Sequence, residues 1–125
     1  MMKFYSLIPD CQEPAPPETD YRSAREIGVV RLGEQAFYFR KARKVYYIRY
    51  HRIRSCFRRV MVVPARLCCG QGGLPVENLV ICGDEGELAQ IQIPGERAGK
   101  ALLEEMKERA PDVEIGYWKK EKEVQ

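Results

Sequence analysis

The sequence predicts an α+β fold that is mostly β: about six or seven short antiparallel strands followed by one C-terminal amphipathic helix. Three stretches carry this. Residues 36–63, AFYFRKARKVYYIRYHRIRSCFRRVMVV, are dense in aromatic and β-branched side chains and broken by Arg40-Lys41-Ala42-Arg43-Lys44, as strands joined by a hairpin would be. Residues 76–82 and 87–93 flank Gly83-Asp84-Glu85-Gly86, a second hairpin. After Pro94-Gly95 the apolar period changes from two to about 3.6, and Ala98, Leu102, Met106 and Ala110 share a stripe beside Leu103 until Pro111.

Taken in order, residues 1–8 alternate weakly and suggest an edge strand. Pro14, Pro16 and Pro17 exclude helix from the segment up to Thr19, which reads as an extended tether. Asp20 to Glu26 reads as a short turn and Ile27 to Leu32 as one strand ending at Gly33-Glu34. The central strands are expected at 36–40, 45–50 and 57–63, with His51 to Cys56 as an irregular bend. In the second of these, Tyr46, Ile48 and Tyr50 share one face, the better core candidate. Pro64 marks a strand end, Ala65 to Cys69 a further strand, and Gly70-Gln71-Gly72-Gly73 a loop. Glu96 with Lys100 and Glu105 with Arg109 supply i, i+4 pairs on the helix, and Val113 to Trp118 a strand or packed tail. The chain divides into a Pro-rich arm over 1–25, one domain over 26–118 and a charged tail over 119–125.

This order of elements, together with GEQAFYFRKARKVYYIRYHRI at residues 33–53 and its Tyr-Ile-x-Tyr-x-x-Ile progression, resembles small bacterial PH-like proteins. The resemblance spans Ile27 to Ala110. It implies a partly open barrel of two bent sheets plugged at one end by the helix, and a binding module for proteins, peptides or lipid head groups, with no activity carried over. Phosphoinositide binders of this kind use a lysine followed by a basic-x-Arg pair; Lys41 and Arg52-Ile53-Arg54 match the letters. Strand spacing nevertheless puts them roughly 25 Å apart.

Five cysteines, Cys11, Cys56, Cys68, Cys69 and Cys82, are odd in number and form no C-x-x-C, a poor disulfide framework and a poor metal set beside the single histidine, His51. They read as reduced and buried, in a cytoplasmic protein. No apolar run approaches the ~20 residues of a spanning helix, and no phosphate-loop, nucleophile-elbow or zinc-protease motif occurs, so no cofactor or metal is expected.

Charge is the most informative feature. Between Glu34 and Glu77 there is no acidic residue and there are ten basic ones. Arg40, Lys41, Arg43, Lys44, Arg52 and Arg54 are the candidate anion-binding residues. Two readings remain open: a face for an anionic partner, or a set of charges neutralised internally by the hairpin acids Asp84, Glu85 and Glu87 and the helix acids Glu104, Glu105 and Glu108. The leading functional expectation is a non-enzymatic module that binds protein or itself, the Pro-rich arm reaching over a second copy. The alternatives are an anionic-lipid or nucleic-acid domain, with Tyr38, Tyr46, Tyr47 and Tyr50 available for stacking, and a small-molecule enzyme with a site near His51, Arg52 and Cys56.

Overall fold

The computed structural model describes residues 3–9, 11–64 and 73–116. It is mostly β, with two sheets and one main helix. The elements are β1 (Phe4–Ser6), α1 (Glu18–Arg22), β2 (Arg25–Ile27), β3 (Val30–Leu32), β4 (Ala36–Lys41), β5 (Lys44–Arg49), a 3-10 turn (Tyr50–Arg52), β6 (Ser55–Pro64), β7 (Gly73–Gly83), β8 (Gly86–Gln92), α2 (Glu96–Arg109) and β9 (Glu114–Gly116). The first sheet has the order β1-β5-β4-β3-β2 and the second β8-β7-β6-β9. Within them β2 to β5 and β6 to β8 are antiparallel meanders. Two short strands are added in parallel, β1 beside β5 and β9 beside β6, so the expectation of antiparallel strands alone is corrected. No strand pairing among the described residues joins the two sheets.

The main core lies between the sheets and is closed by α2. Phe37, Phe39 and Ile48 of the first sheet, Cys56, Leu79, Ile81 and Ile91 of the second, and Leu102, Leu103 and Met106 of the helix form one buried cluster. The helical stripe is as the period predicts, and both expected i, i+4 pairs are present at 3.1 Å. Gly99 faces the second sheet so closely that a Cβ there would lie 2.9 Å from a Glu77 carboxylate oxygen. That carboxylate is buried and paired with Arg58, which also reaches Glu96 at 3.8 Å, so a charge pair, not only apolar contact, sits where the helix begins.

Several expectations are overturned. Ile27 to Leu32 is not one strand: Gly28, at φ +62, and Val29 turn the chain, and Ile27 pairs with Val30. Asp20 to Glu26 is not a simple turn but contains the end of α1 and most of β2. The even face of β5 is not the only buried one. Ala36, Tyr38, Val45 and Tyr47 on the opposite face form a second cluster with Tyr21, against which Phe4 packs. Phe4 and Tyr21 cover that face with rings 5.6 and 5.1 Å from Tyr38. In β8 a register shift opposite Ile81 and Cys82 inserts one extra residue, so Leu88 and Ala89 both reach the main core although strict alternation separates them. Residues 11–17 have no regular secondary structure, but they lie along their own chain: Pro16 is buried, Arg49 donates to the Pro14 carbonyl at 2.9 Å, and His51 meets Glu13 at 2.8 Å. The expected strand at 65–69 and loop at 70–73 fall largely outside the described residues, as do the charged tail and residues 117–118.

The buried Asp20 carboxylate ties these parts together. It accepts from the backbone N–H of Glu34 at 2.9 Å and of Gln35 at 3.2 Å, and from the Tyr38 hydroxyl at 2.7 Å. Removing it leaves three donors unsatisfied. Asp20→Ala should therefore cost about 3 kcal/mol, and Tyr38→Phe about 1 kcal/mol, seen as lower urea midpoints with little change in slope. Burial first, then the bond to Asp20, pushes the Tyr38 phenol well above its ordinary value of 10.0. The folded state thus holds the neutral phenol. Its contribution is fully present below pH 10 and is lost as pH rises above it, so the alkaline fall in stability should be shallower in Tyr38→Phe, measured by urea midpoints across that range.

Candidate functional site

The β4–β5 hairpin is closed by two residues, Ala42 and Arg43, with Lys41 paired to Lys44. Both turn residues have positive φ, 52° and 71°, the type I′ pattern whose twist matches the strands. Phe39 is the last core-facing residue of β4; from Arg40 to Lys44 every side chain is exposed. Arg40, Lys41, Arg43 and Lys44 form no ion pair among the described residues. The Lys44 ammonium lies 5.0 Å from the Tyr5 ring, which also has Lys3 at 5.5 Å. Four cations within five residues are thus gathered at a two-residue turn.

Beside this tip is a cleft of about 380 Å³. Its apolar lining is Val29, Phe39 and Ile91, its amide lining Asn78, Gln90 and Gln92, and Arg40 and Lys41 belong to it as well. Asn78 and Gln92 are cross-strand partners on β7 and β8, which explains why the amides converge. Asn78 already donates to the Val76 carbonyl and Gln90 to Met61 Sδ, so Gln92 and the two adjoining cations are the main groups with which the cleft can hold a carboxylate or phosphate against an apolar wall. The amides were not singled out from the sequence; three polar side chains on neighbouring strands become a group only once the register is known.

Arg52 and Arg54 are not brought to the tip. They lie beyond the far end of β5, about 20 Å away for six strand residues. Arg54 is paired with Asp84, an arrangement that raises the guanidinium pKa and lowers that of the carboxyl. Arg52 shares a second cleft, about 340 Å³, with Asp84 and Glu85. Of the expected internal neutralisation, the hairpin acids supply part: Asp84 meets Arg54 and Glu87 meets Arg59 at 3.3 Å. The helix acids do not. Glu105 pairs with Arg25 and Arg109, while Glu104 and Glu108 are exposed. Among the described residues, internal pairing therefore covers the β6 arginines Arg58 and Arg59 and does not reach the β4–β5 tip.

His51, Arg52 and Cys56 do not converge. His51 is 59% exposed and directed to Glu13, Arg52 faces the acidic cleft, and Cys56 is wholly buried in the main core. Tyr38 and Tyr47 are buried in the second cluster, and Tyr46 and Tyr50 pack partly against the main core, so these tyrosines serve packing before stacking. Among the described residues no group of three or more His, Cys, Asp or Glu side chains is placed to hold a metal ion, and no helix is long and apolar enough to cross a membrane. Comparison with protein-family models, curated proteins and solved structures finds no match to this chain.

Burial, with the neighbouring Cys82, pushes the Cys56 thiol up to about 12. At pH 8 it is a protonated core residue. Iodoacetamide labelling of the folded protein should modify the partly exposed Cys11 while leaving Cys56 untouched, read by peptide mass spectrometry, with Cys56 reacting only in denaturant.

Proposed function

We propose that this chain is a non-enzymatic PH-like interaction module that holds an acidic polypeptide at the β4–β5 tip and its adjoining cleft. What carries the reading is the juxtaposition of Arg40, Lys41, Arg43 and Lys44, which pair with no acid among the described residues, and a cleft whose polar lining is three amides together with Arg40 and Lys41. The PH-like part is supported by two sheets built mainly of antiparallel strands, β2 to β5 and β6 to β8, followed by one main helix, as the resemblance of two bent sheets and a C-terminal helix implies. Polypeptide is favoured over nucleic acid because the tyrosines near the basic stretch are engaged in packing, leaving few rings for bases to stack on. It is favoured over a membrane because the cations form one compact tip rather than a broad face.

The reading is tested by fluorescence anisotropy of a polyglutamate peptide at low ionic strength, with a single-stranded oligonucleotide and anionic vesicles in parallel. Wild type should bind the peptide and lose affinity as salt rises. The combined variant Arg40→Gln, Lys41→Gln, Arg43→Gln, Lys44→Gln should lose binding at least about tenfold while keeping its urea midpoint, because exposed turn charges add little to stability. Gln92→Ala, in the cleft lining, should weaken peptide binding without changing the salt slope. Equal binding by the four-site variant, or a preference for vesicles or oligonucleotide over peptide, would reject the reading.

A further inference from the structure

We infer that the outer edge of β6 pairs with the same edge of a second copy of this chain, antiparallel about a two-fold axis at Met61. The β6–β7 pairing runs ten residues, from Ser55↔Cys82 to Pro64↔Gly73. Its neighbours are shorter: β8 pairs with β7 only as far as Asn78, and β9 with β6 only as far as Phe57. From Val60 onward the two strands are a ribbon without a third strand among the described residues, and an isolated two-stranded ribbon is marginal in water. This ribbon also carries three consecutive exposed apolar residues, Val60 at 38%, Met61 at 43% and Val62 at 71%, out of four large hydrophobics exposed in the described residues. Free edges of soluble proteins are usually protected by charge or a bulge. Here the charges at the base of the ribbon are already engaged, Arg58 with Glu77 and Arg59 with Glu87 and Gln90.

A second copy suits this edge by symmetry. Pairing about Met61 sets Met61 against its own copy and Val60 against Val62 in both directions, so apolar meets apolar twice over. Arg59 falls opposite Val63 and Arg58 opposite Pro64, and the two copies of Arg58 are kept about 20 Å apart along the strands. No like charges face each other. The hairpin tip at Arg40 to Lys44 takes no part, so this inference stands or falls separately from the acidic-partner reading.

The test uses a residue that opposes only itself. In sedimentation equilibrium over the micromolar range the full chain should shift from 14.5 kDa toward twice that mass. Met61→Lys and Met61→Glu, each checked for an unchanged circular dichroism spectrum, should each weaken association at least about tenfold, because each places like charges together at the axis. An equimolar mixture of the two should recover it, since lysine then faces glutamate. A wild-type protein that stays monomeric, variants that associate as wild type does, or a mixture that fails to recover would each overturn the pairing. So would a monomeric full chain that dimerises only when residues 117–125 are deleted, since the edge would then belong to the chain's own C-terminal segment.

Discussion

The first sheet is apolar on both faces, and the rest of the molecule is arranged around that constraint. Phe37, Phe39 and Ile48 point one way while Ala36, Tyr38, Val45 and Tyr47 point the other, and all seven are buried. A sheet of this kind needs two covers, because leaving either side in water would forfeit about 1.5–3 kcal/mol for each large side chain. The second sheet and α2 cover the inner side. Among the described residues the N-terminal segment covers the outer side: Phe4 and Tyr21 pack onto it and β1 joins the edge beside β5. Asp20 fixes that cover in place through the β3–β4 turn. The proline-rich stretch thus runs between two anchored points, β1 and α1.

How much of this was legible depended on whether a feature is local. The β4–β5 and β7–β8 hairpins and α2 could be read directly, because turn chemistry and apolar period are properties of short windows. The break at Gly28 was hidden inside Ile27-Gly28-Val29-Val30, which looks like one continuous strand; the glycine was the only signal. α1 has five residues and no side-chain cap, so it had no pattern to show. β1 and β9, at three residues each, owe their state to the strands they join. For the site the division is similar. The four basic residues of the tip are adjacent in sequence, whereas the fate of the other arginines was set by pairings some thirty residues apart, such as Arg54 with Asp84. Those pairings follow from the register of β6, β7 and β8, and no window of the sequence contains it.

The turn at Ala42 and Arg43 has a consequence for how the tip came to be charged. A two-residue turn with both φ angles positive is most stable as Asn-Gly, and ordinary L-residues there cost roughly 1–2 kcal/mol each. Alanine and arginine are therefore poor choices if the turn has only to reverse the chain. Chain reversal alone does not explain an arginine at 43, at the apex of a hairpin whose strands already end in arginine and lysine. Arg43 nonetheless places a fourth cation at the point of the hairpin, and the strands behind this strained turn are joined by the cross-strand pair Phe39 and Tyr46, whose rings stack at 5.4 Å.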